Sequence, residues 1–242
     1  MSKKILVTST DLMMVQFLLP HIRNLFENGY VVEVACSDVG GRMDEIHEKI
    51  RDCVRKIHTV DLHRSPAAPG NFKGYRQMKA IIEKGHYDII WTNEPVMGVV
   101  TRLAARRVRK SGTKVLYMVH GFHFYKGAPR VNWMIYYPIE KIMASKADVI
   151  CTVNREDYKR TQKFNVEQVR YIHGIGINTA RLTPGKKQND IRLELGLNKD
   201  DFIVLSVGEL NENKNQKVII EALSVLNDKK IHYRHHLAYL RI

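Results

Sequence analysis

The sequence predicts a doubly wound α/β protein: a parallel sheet with helices on both faces, followed by the first βα unit of a second domain of the same kind. Three observations predict it. Short β-rich runs alternate along the chain with longer segments whose apolar residues recur at helical spacing. The opening run Ile5-Leu6-Val7 is apolar at every position, as a buried strand requires. The 242 residues, 44% hydrophobic and 26% charged, suffice for a sizeable core and exclude disorder, collagen and coiled coil.

The elements follow in order. After the strand at 5–7, Phe17, Leu18, His21, Ile22 and Leu25 recur at helical spacing, and Gly29 stands where such a helix stops. Residues 31–35 read as a strand, 44–51 as a helix and 56–60 as a strand. The turn-rich stretch 65–70 precedes a helix with Tyr75, Met78, Ile81 and Ile82 on one face. Then come strand 88–92, helix 96–109, strand 114–119, helix 133–145, strand 148–152, helix 156–164 and strand 169–172. Crossovers between parallel strands are right-handed. Ligands of such sheets bind at the carboxyl ends of the strands. The residues to inspect are therefore those just after strands, at 8–11, 92–94, 120–124 and 173–176.

Residues 174–200 break this rhythm. Gly174, Gly176, Pro184 and Gly185 are followed by the polar run Lys186-Lys187-Gln188-Asn189-Asp190. This divides the chain into a domain at 1–178, a linker at 179–200 with a short helix at 191–195, and a partial domain at 201–242. The last part reads as strand 202–207, helix 217–226 with Val218, Ile219, Ala222, Leu223 and Leu226 inward, and a strand beginning at Ile231. Two strands and one helix are too little for an independent domain. The unit docks onto the first domain, or the chain is a fragment.

The net charge is +14, from 39 Lys and Arg against 25 Asp and Glu. An excess of this size implies an anionic partner: nucleic acid, a phosphorylated small molecule or an acidic membrane surface. Apolar runs such as 89–91 and 203–205 are far below the ~20 residues needed to cross a bilayer. No apolar stretch follows Lys3-Lys4, so no secretory signal is expected. Cys36, Cys53 and Cys151 form no CxxC pair and read as reduced thiols of a cytosolic protein.

Common catalytic motifs are absent. There is no GxxxxGK[ST] and no GxSxG. Residues 174–179 imitate a dinucleotide fingerprint but lack its third glycine, and no cofactor is expected. His120 and His123 have no third ligand nearby, and His232, His235 and His236 sit in an atypical tail, so no metal is expected. The strongest local signal is His120-Gly121-Phe122-His123-Phe124-Tyr125, which emerges directly from a strand. Glycine permits close backbone approach, and a neutral imidazole both donates and accepts a hydrogen bond to a hydroxyl. The bland alternative has the aromatics packing a loop and the histidines capping a helix. A second signal is the run 207–215: a strand ends in Gly208, a polar loop follows, and Lys214 opens a helix. Backbone N–H groups, a positive helix end and a flexible ammonium make an anion site. A third is the cation row Arg102, Arg106, Arg107, Arg109 and Lys110. It reads either as a solvated face or as a patch for membrane or phosphate. Asn93, Glu94 and His123 are further ligand-site candidates from their positions at strand ends.

Residues 1–178 resemble the N-terminal domain of a GT-B glycosyltransferase of family 4, of the kind that builds bacterial capsular or extracellular polysaccharide. The resemblance is carried by the stretches starting at Phe17 (Phe-Leu-Leu-Pro-His-Ile), Gly29 (Gly-Tyr-Val-Val-Glu-Val-Ala-Cys), Tyr87 (Tyr-Asp-Ile-Ile-Trp-Thr-Asn-Glu-Pro) and Thr101 (Thr-Arg-Leu-Ala-Ala-Arg). It continues at His120 (His-Gly-Phe-His-Phe-Tyr-Lys-Gly-Ala-Pro), Ile135 (Ile-Tyr-Tyr-Pro-Ile-Glu-Lys), Asn154 (Asn-Arg-Glu-Asp-Tyr) and Gly174 (Gly-Ile-Gly-Ile-Asn). Residues 204–215 resemble the opening of the Rossmann-like C-terminal domain, on the donor side.

The resemblance implies a retaining, metal-independent transfer of a sugar from a nucleotide donor, UDP-linked, onto a lipid-linked or glycan acceptor. In the family the histidine matching His120 lies near the transferred sugar, and the lysine matching Lys214 holds the diphosphate, with Gly208 in the same loop. Many members carry an arginine where Glu209 stands. The N-terminal domain receives the acceptor and leans on anionic lipid, each cation there contributing about 1 kcal/mol. The expected location is cytoplasmic, peripheral at the inner face of the cell membrane. The family's second domain also uses two glutamates separated by seven residues. No glutamate pair here has that spacing, and nothing acidic follows Asp228. The expectation is a truncated chain that does not transfer sugar by itself. The rivals are a non-catalytic membrane-surface or acceptor-binding module and, on charge alone, a nucleic-acid-binding protein.

Overall fold

The computed structural model describes residues 2–38, 43–66, 68–174, 176, 191–208, 210–212, 214–227 and 230–236. The expectations attached to Glu209, Asp228, residues 237–242 and most of the linker lie outside the described residues. The chain divides into two compact units, residues 1–177 and 178–242.

The first unit contains β1 (Lys4–Asp11), α1 (Leu12–Glu27), β2 (Val31–Ser37), α2 (Met43–Ile50), β3 (Lys56–Thr59) and α3 (Gly70–Gly85). It continues with β4 (Ile89–Asn93), α4 (Pro95–Ala104), α5 (Arg106–Lys110), β5 (Lys114–Val119), α6 (Arg130–Ala144), β6 (Val149–Thr152), α7 (Arg155–Thr161) and β7 (Gln168–Tyr171). The seven strands form one sheet in the order β3-β2-β1-β4-β5-β6-β7. Every neighbouring pair is parallel. This is the doubly wound sheet that the alternation of elements predicts.

Apolar residues on consecutive positions are buried on opposite faces. Ile5 and Val7 join a cluster with Val15, Leu18 and Ile22 of α1. Leu6, between them, joins Met78 and Ile82 of α3 and Met97 and Val100 of α4 on the other side. Gly29 follows α1 at φ +82°, a left-handed conformation that costs glycine little and turns the chain into β2.

Three details differ from the sequence reading. The helix expected at 96–109 is two, interrupted at the buried Ala105, whose ψ of −5° departs from the helical value of about −42°. The cation row does not share one face. Arg102 is fully buried and paired with Glu140, and Arg109 is paired with Asp148, so only Arg106, Arg107 and Lys110 of the row are exposed. The third concerns the second unit.

That unit contains α8 (Ile191–Glu194), β8 (Phe202–Val207), α9 (Lys217–Leu226) and β9 (Ile231–His236). β8 and β9 pair in parallel, from Phe202 with Ile231 to Val207 with His236. Of the α9 residues expected to face inward, Ile219 and Leu223 are half-buried, whereas Val218, Ala222 and Leu226 are exposed. A two-stranded platform is narrow, and it covers only the part of the helix directly above it.

Candidate active site

The candidate residues of the first unit converge at the carboxyl ends of β1, β4 and β5. Asn93 ends β4, pairing in register with Met118 of β5. That register brings His120, just beyond β5, alongside it: His120 Nε2 lies 3.0 Å from Asn93 Oδ1. The Asn93 amide is oriented by its other end, where Nδ2 donates to the Thr8 carbonyl at 3.1 Å. Its oxygen therefore faces the imidazole, so Nε2 carries the proton and Nδ1 is the acceptor. Burial lowers the His120 pKa below its ordinary value, which keeps the ring neutral. Among the described residues Nδ1 has no partner.

Glu94 sits one residue on, at the amino end of α4, with φ +63° and ψ +158°. That region of backbone space is essentially reserved for glycine and costs a side-chain-bearing residue about 1–3 kcal/mol. The geometry is held from both sides. Glu94 Oε2 accepts from Ser9 Oγ at 2.5 Å and from the Thr10 N–H at 2.8 Å. Thr10 is the extra residue where the register of β1 against β2 shifts between Ser9 and Asp11. Such bulges re-aim backbone groups beside active sites. Thr10 Oγ1 in turn accepts from the Met97 N–H at 3.1 Å, closing the first turn of α4. Burial raises the Glu94 pKa, against the lowering effects of Ser9, Thr10 and the more distant Arg64.

The loop at 120–129 is built rather than loose. Gly121, at φ +143°, lets the chain leave β5 sharply. Phe122 and Phe124 stack at 4.5 Å and are buried with Trp133, Tyr137 and Phe164. The aromatics thus pack the loop, as the bland alternative had it. Three side chains of α7 clamp the outside of the loop. Asp157 Oδ2 accepts from the Phe122 N–H at 3.1 Å, Glu156 Oε1 from the Lys126 N–H at 2.7 Å, and Arg160 donates to the Phe124 carbonyl at 2.8 Å. Asp157 is itself set by a reciprocal cap with Asn154.

His123 stands apart from the other candidates. Its side chain is exposed and stacks on Tyr136 of α6 at 4.7 Å, and its carbonyl accepts from Asn132 Nδ2. His120 also lines one end of an apolar cleft of ≈ 360 Å³, walled by Leu18, Leu25, Trp91, Leu116 and Met118 among others. The ring is half-buried rather than sealed in the interior.

In the second unit, Gly208 (φ +154°) follows β8, and Lys214 is exposed on the loop leading into α9. The Lys214 N–H is fixed on Asn211 Oδ1 at 3.0 Å. Two of the tail histidines have polar partners: His232 lies 3.2 Å from Asp201, and His235 Nδ1 lies 2.7 Å from Ser206 Oγ. Among the described residues no group of three or more His, Cys, Asp or Glu could hold a metal ion.

Sequence reasoning placed Ser9 and Thr10 in the strand-end stretch 8–11 but gave neither a role, and it gave none to Asp157 or Arg160. The Asn-x-x-Asp spacing at 154–157 is a capping signature that could have found Asp157. Nothing local marks Arg160.

A seven-stranded doubly wound sheet with this polar carboxyl edge has the architecture of a GT-B N-terminal domain. The S. aureus MnaA–UDP co-structure shares the fold with a TM-score of 0.64, at 11% identity, covering 100% of this chain and 64% of that one. The description "Glycosyltransferase Family 4" matches residues 15–181, and the chain belongs to that family. It is 42% identical to EpsD of Bacillus subtilis (strain 168) over 95% of this chain. It is 24% identical to the UDP-Gal:alpha-D-GlcNAc-diphosphoundecaprenol alpha-1,3-galactosyltransferase of Escherichia coli over 83% of this chain. The chain spans 59% and 51% of the lengths of these two relatives.

Proposed function

We propose that the chain acts in transfer of a sugar from a UDP-linked donor to a lipid-linked or glycan acceptor in bacterial surface polysaccharide synthesis, with retention of configuration and no metal. The observation that carries this reading is the His120–Asn93 pair at the ligand edge of a family 4 chain. A neutral imidazole with one nitrogen committed and the other open is suited to accept a hydrogen bond from a sugar hydroxyl.

Asn93 orients His120. Glu94, with Oε2 occupied by Ser9 and Thr10, shapes the acceptor edge, and His123 meets the acceptor at the rim. Lys214, Gly208 and the start of α9 neutralise the diphosphate, an electrostatic stabilisation of the charge that develops on the leaving group. The 1–178 part takes the acceptor and the 201–242 part the donor. The E. coli relative's name specifies a UDP-sugar and a diphosphoundecaprenol-linked acceptor, which supports both classes here. A lipid acceptor and the +14 charge support work at an anionic membrane surface, on its cytoplasmic face.

Calorimetric titration of the 242-residue chain with UDP and UDP-sugars tests the donor half. UDP binding that weakens about tenfold or more in Lys214→Ala is expected. No binding of any UDP-sugar, or an isotherm unchanged in Lys214→Ala, overturns it. One observation favours a second reading, a non-catalytic membrane-surface or acceptor-binding module: the described part of the second unit holds one two-stranded sheet. Acceptor binding without donor binding selects that reading.

A further inference from the structure

The loop between β3 and α3 carries an arginine that the site described above leaves without a role. The seven-stranded sheet is parallel throughout, so every loop that follows a strand leaves from the same edge. Residues 60–69 follow β3 and therefore share an edge with Ser9 and Thr10 of β1 and with Glu94 after β4. Arg64 is exposed in the middle of that loop.

The loop is braced around this residue. The His63 N–H donates to Asn71 Oδ1 at 2.8 Å, and Asn71 Nδ2 donates to the Ser65 carbonyl at 2.8 Å. One side chain from the first turn of α3 thus fixes the residues on both sides of Arg64. Further back, the Asp61 N–H donates to Gln77 Oε1 at 2.8 Å, and the Asp61 carboxylate pairs with Lys73 at 2.6 Å. The helix lies so close that a Cβ on Gly74 would stand 2.5 Å from the Asp61 carbonyl oxygen. A loop fixed beforehand spares part of the ordering entropy that binding a ligand costs.

The charges show what the arginine meets. Among the described residues Arg64 is the cation whose charge acts on the Glu94 carboxyl. That puts the guanidinium within electrostatic reach of the polar edge. Glu94 Oε2 is already engaged by Ser9 and Thr10. A diphosphate offers the guanidinium a denser charge and paired acceptor oxygens, the geometry that an arginine fork matches.

We propose that Arg64 binds the diphosphate of a lipid-linked acceptor and so places the acceptor sugar at the His120–Asn93 edge. The inference deepens the reading above and rests on its acceptor being diphosphate-linked. It gives each substrate its own cation, Lys214 for the donor diphosphate and Arg64 for that of the acceptor. An uncharged glycan lacks the group that Arg64 reads, so the residue selects among acceptors as well as holding one.

The test is calorimetric titration of the 242-residue chain with farnesyl-diphosphate-linked N-acetylglucosamine and with the farnesyl glycoside that lacks the diphosphate. Wild type is expected to bind the first more tightly by about tenfold or more, and by less as salt is raised. Arg64→Ala should lose that preference. Arg64→Lys, which keeps the charge without the fork, should retain part of it, as should Asn71→Ala, which frees the loop but leaves the arginine. Affinity for the uncharged glycoside should be the same in all four chains, which a merely structural role of the loop would not give. Arg64→Ala that binds the diphosphate probe like wild type overturns the inference, and so does wild type that does not distinguish the two probes. Equal losses on UDP and on the diphosphate probe in Arg64→Ala make the residue a general anion contact and overturn it as well. If neither probe binds wild type, the acceptor reading falls together with this inference, while UDP binding still decides the donor reading by itself.

Discussion

Asn93 decides which nitrogen of His120 carries the proton. Its amide nitrogen is held by the Thr8 carbonyl, so its oxygen faces Nε2 at 3.0 Å. Burial disfavours the imidazolium, and the neutral tautomer with Nδ1 as acceptor follows. In Asn93→Asp a carboxylate replaces the amide and favours the charged ring. NMR titration of His120 should give a value below the ordinary 6.5 in wild type and a higher one in Asn93→Asp. A wild-type value at or above the ordinary one contradicts the assignment.

The backbone at Glu94 suits glycine, and its side chain is what secures it there. Glu94→Gly and Glu94→Ala both delete the carboxylate, but only glycine relaxes at φ +63° and ψ +158°. Glycine also serves better than alanine at a helix amino terminus. The Gly variant should be more stable than the Ala variant by about 1–3 kcal/mol in urea denaturation. Equal stabilities, or the reverse order, remove the argument for strain.

Arg102 is an ion sealed between α4 and α6. Its Nη2 lies 2.8 Å from Glu140, its Nε donates to the Gly98 carbonyl, and its guanidinium lies 3.9 Å from the Tyr117 ring centroid. Removing one partner strands the other charge in the interior. Arg102→Ala should cost about 3–5 kcal/mol, and Arg102→Met with Glu140→Leu together should cost less than the single change. A single change costing under about 1 kcal/mol would mean that water reaches the pair.

Glu33 should govern part of the acid stability. Burial alone would raise its pKa, but His58, Lys4 and Tyr87 outweigh burial and bring it from 4.5 down to about 2. His58 and Lys4 each lie 2.8 Å from the carboxylate, and the Tyr87 hydroxyl lies 2.6 Å away. A carboxyl whose folded pKa is depressed stabilises the fold above its unfolded value. That stability is lost as pH falls from about 4.5 toward about 2, and it amounts to roughly 3 kcal/mol. Glu33→Gln should flatten this acid limb in urea denaturation followed between pH 6 and about pH 3. An acid limb as steep as that of wild type contradicts it.

Much of the fold was legible because its signals are local. Ile5, Leu6 and Val7 announce a strand buried on both sides, and Gly29 marks the end of α1. Strand-end position alone picked out Asn93, Glu94 and His120, since the carboxyl edge of a doubly wound sheet is where such ligands bind. Arg102 and Arg109 read as members of a cation row, solvated or facing membrane or phosphate, because their partners, Glu140 and Asp148, lie 38 and 39 residues further along.

The sequence by itself determined the order and kind of the elements and the excess of positive charge. Those follow from short-range periodicity, turn chemistry and composition. The tertiary structure alone decided that Asn93 orients His120 across 27 residues and that the bulge at Thr10 turns its N–H onto Glu94. Strand register and crossover handedness bring distant residues together, and both are properties of the assembled sheet rather than of any segment in it.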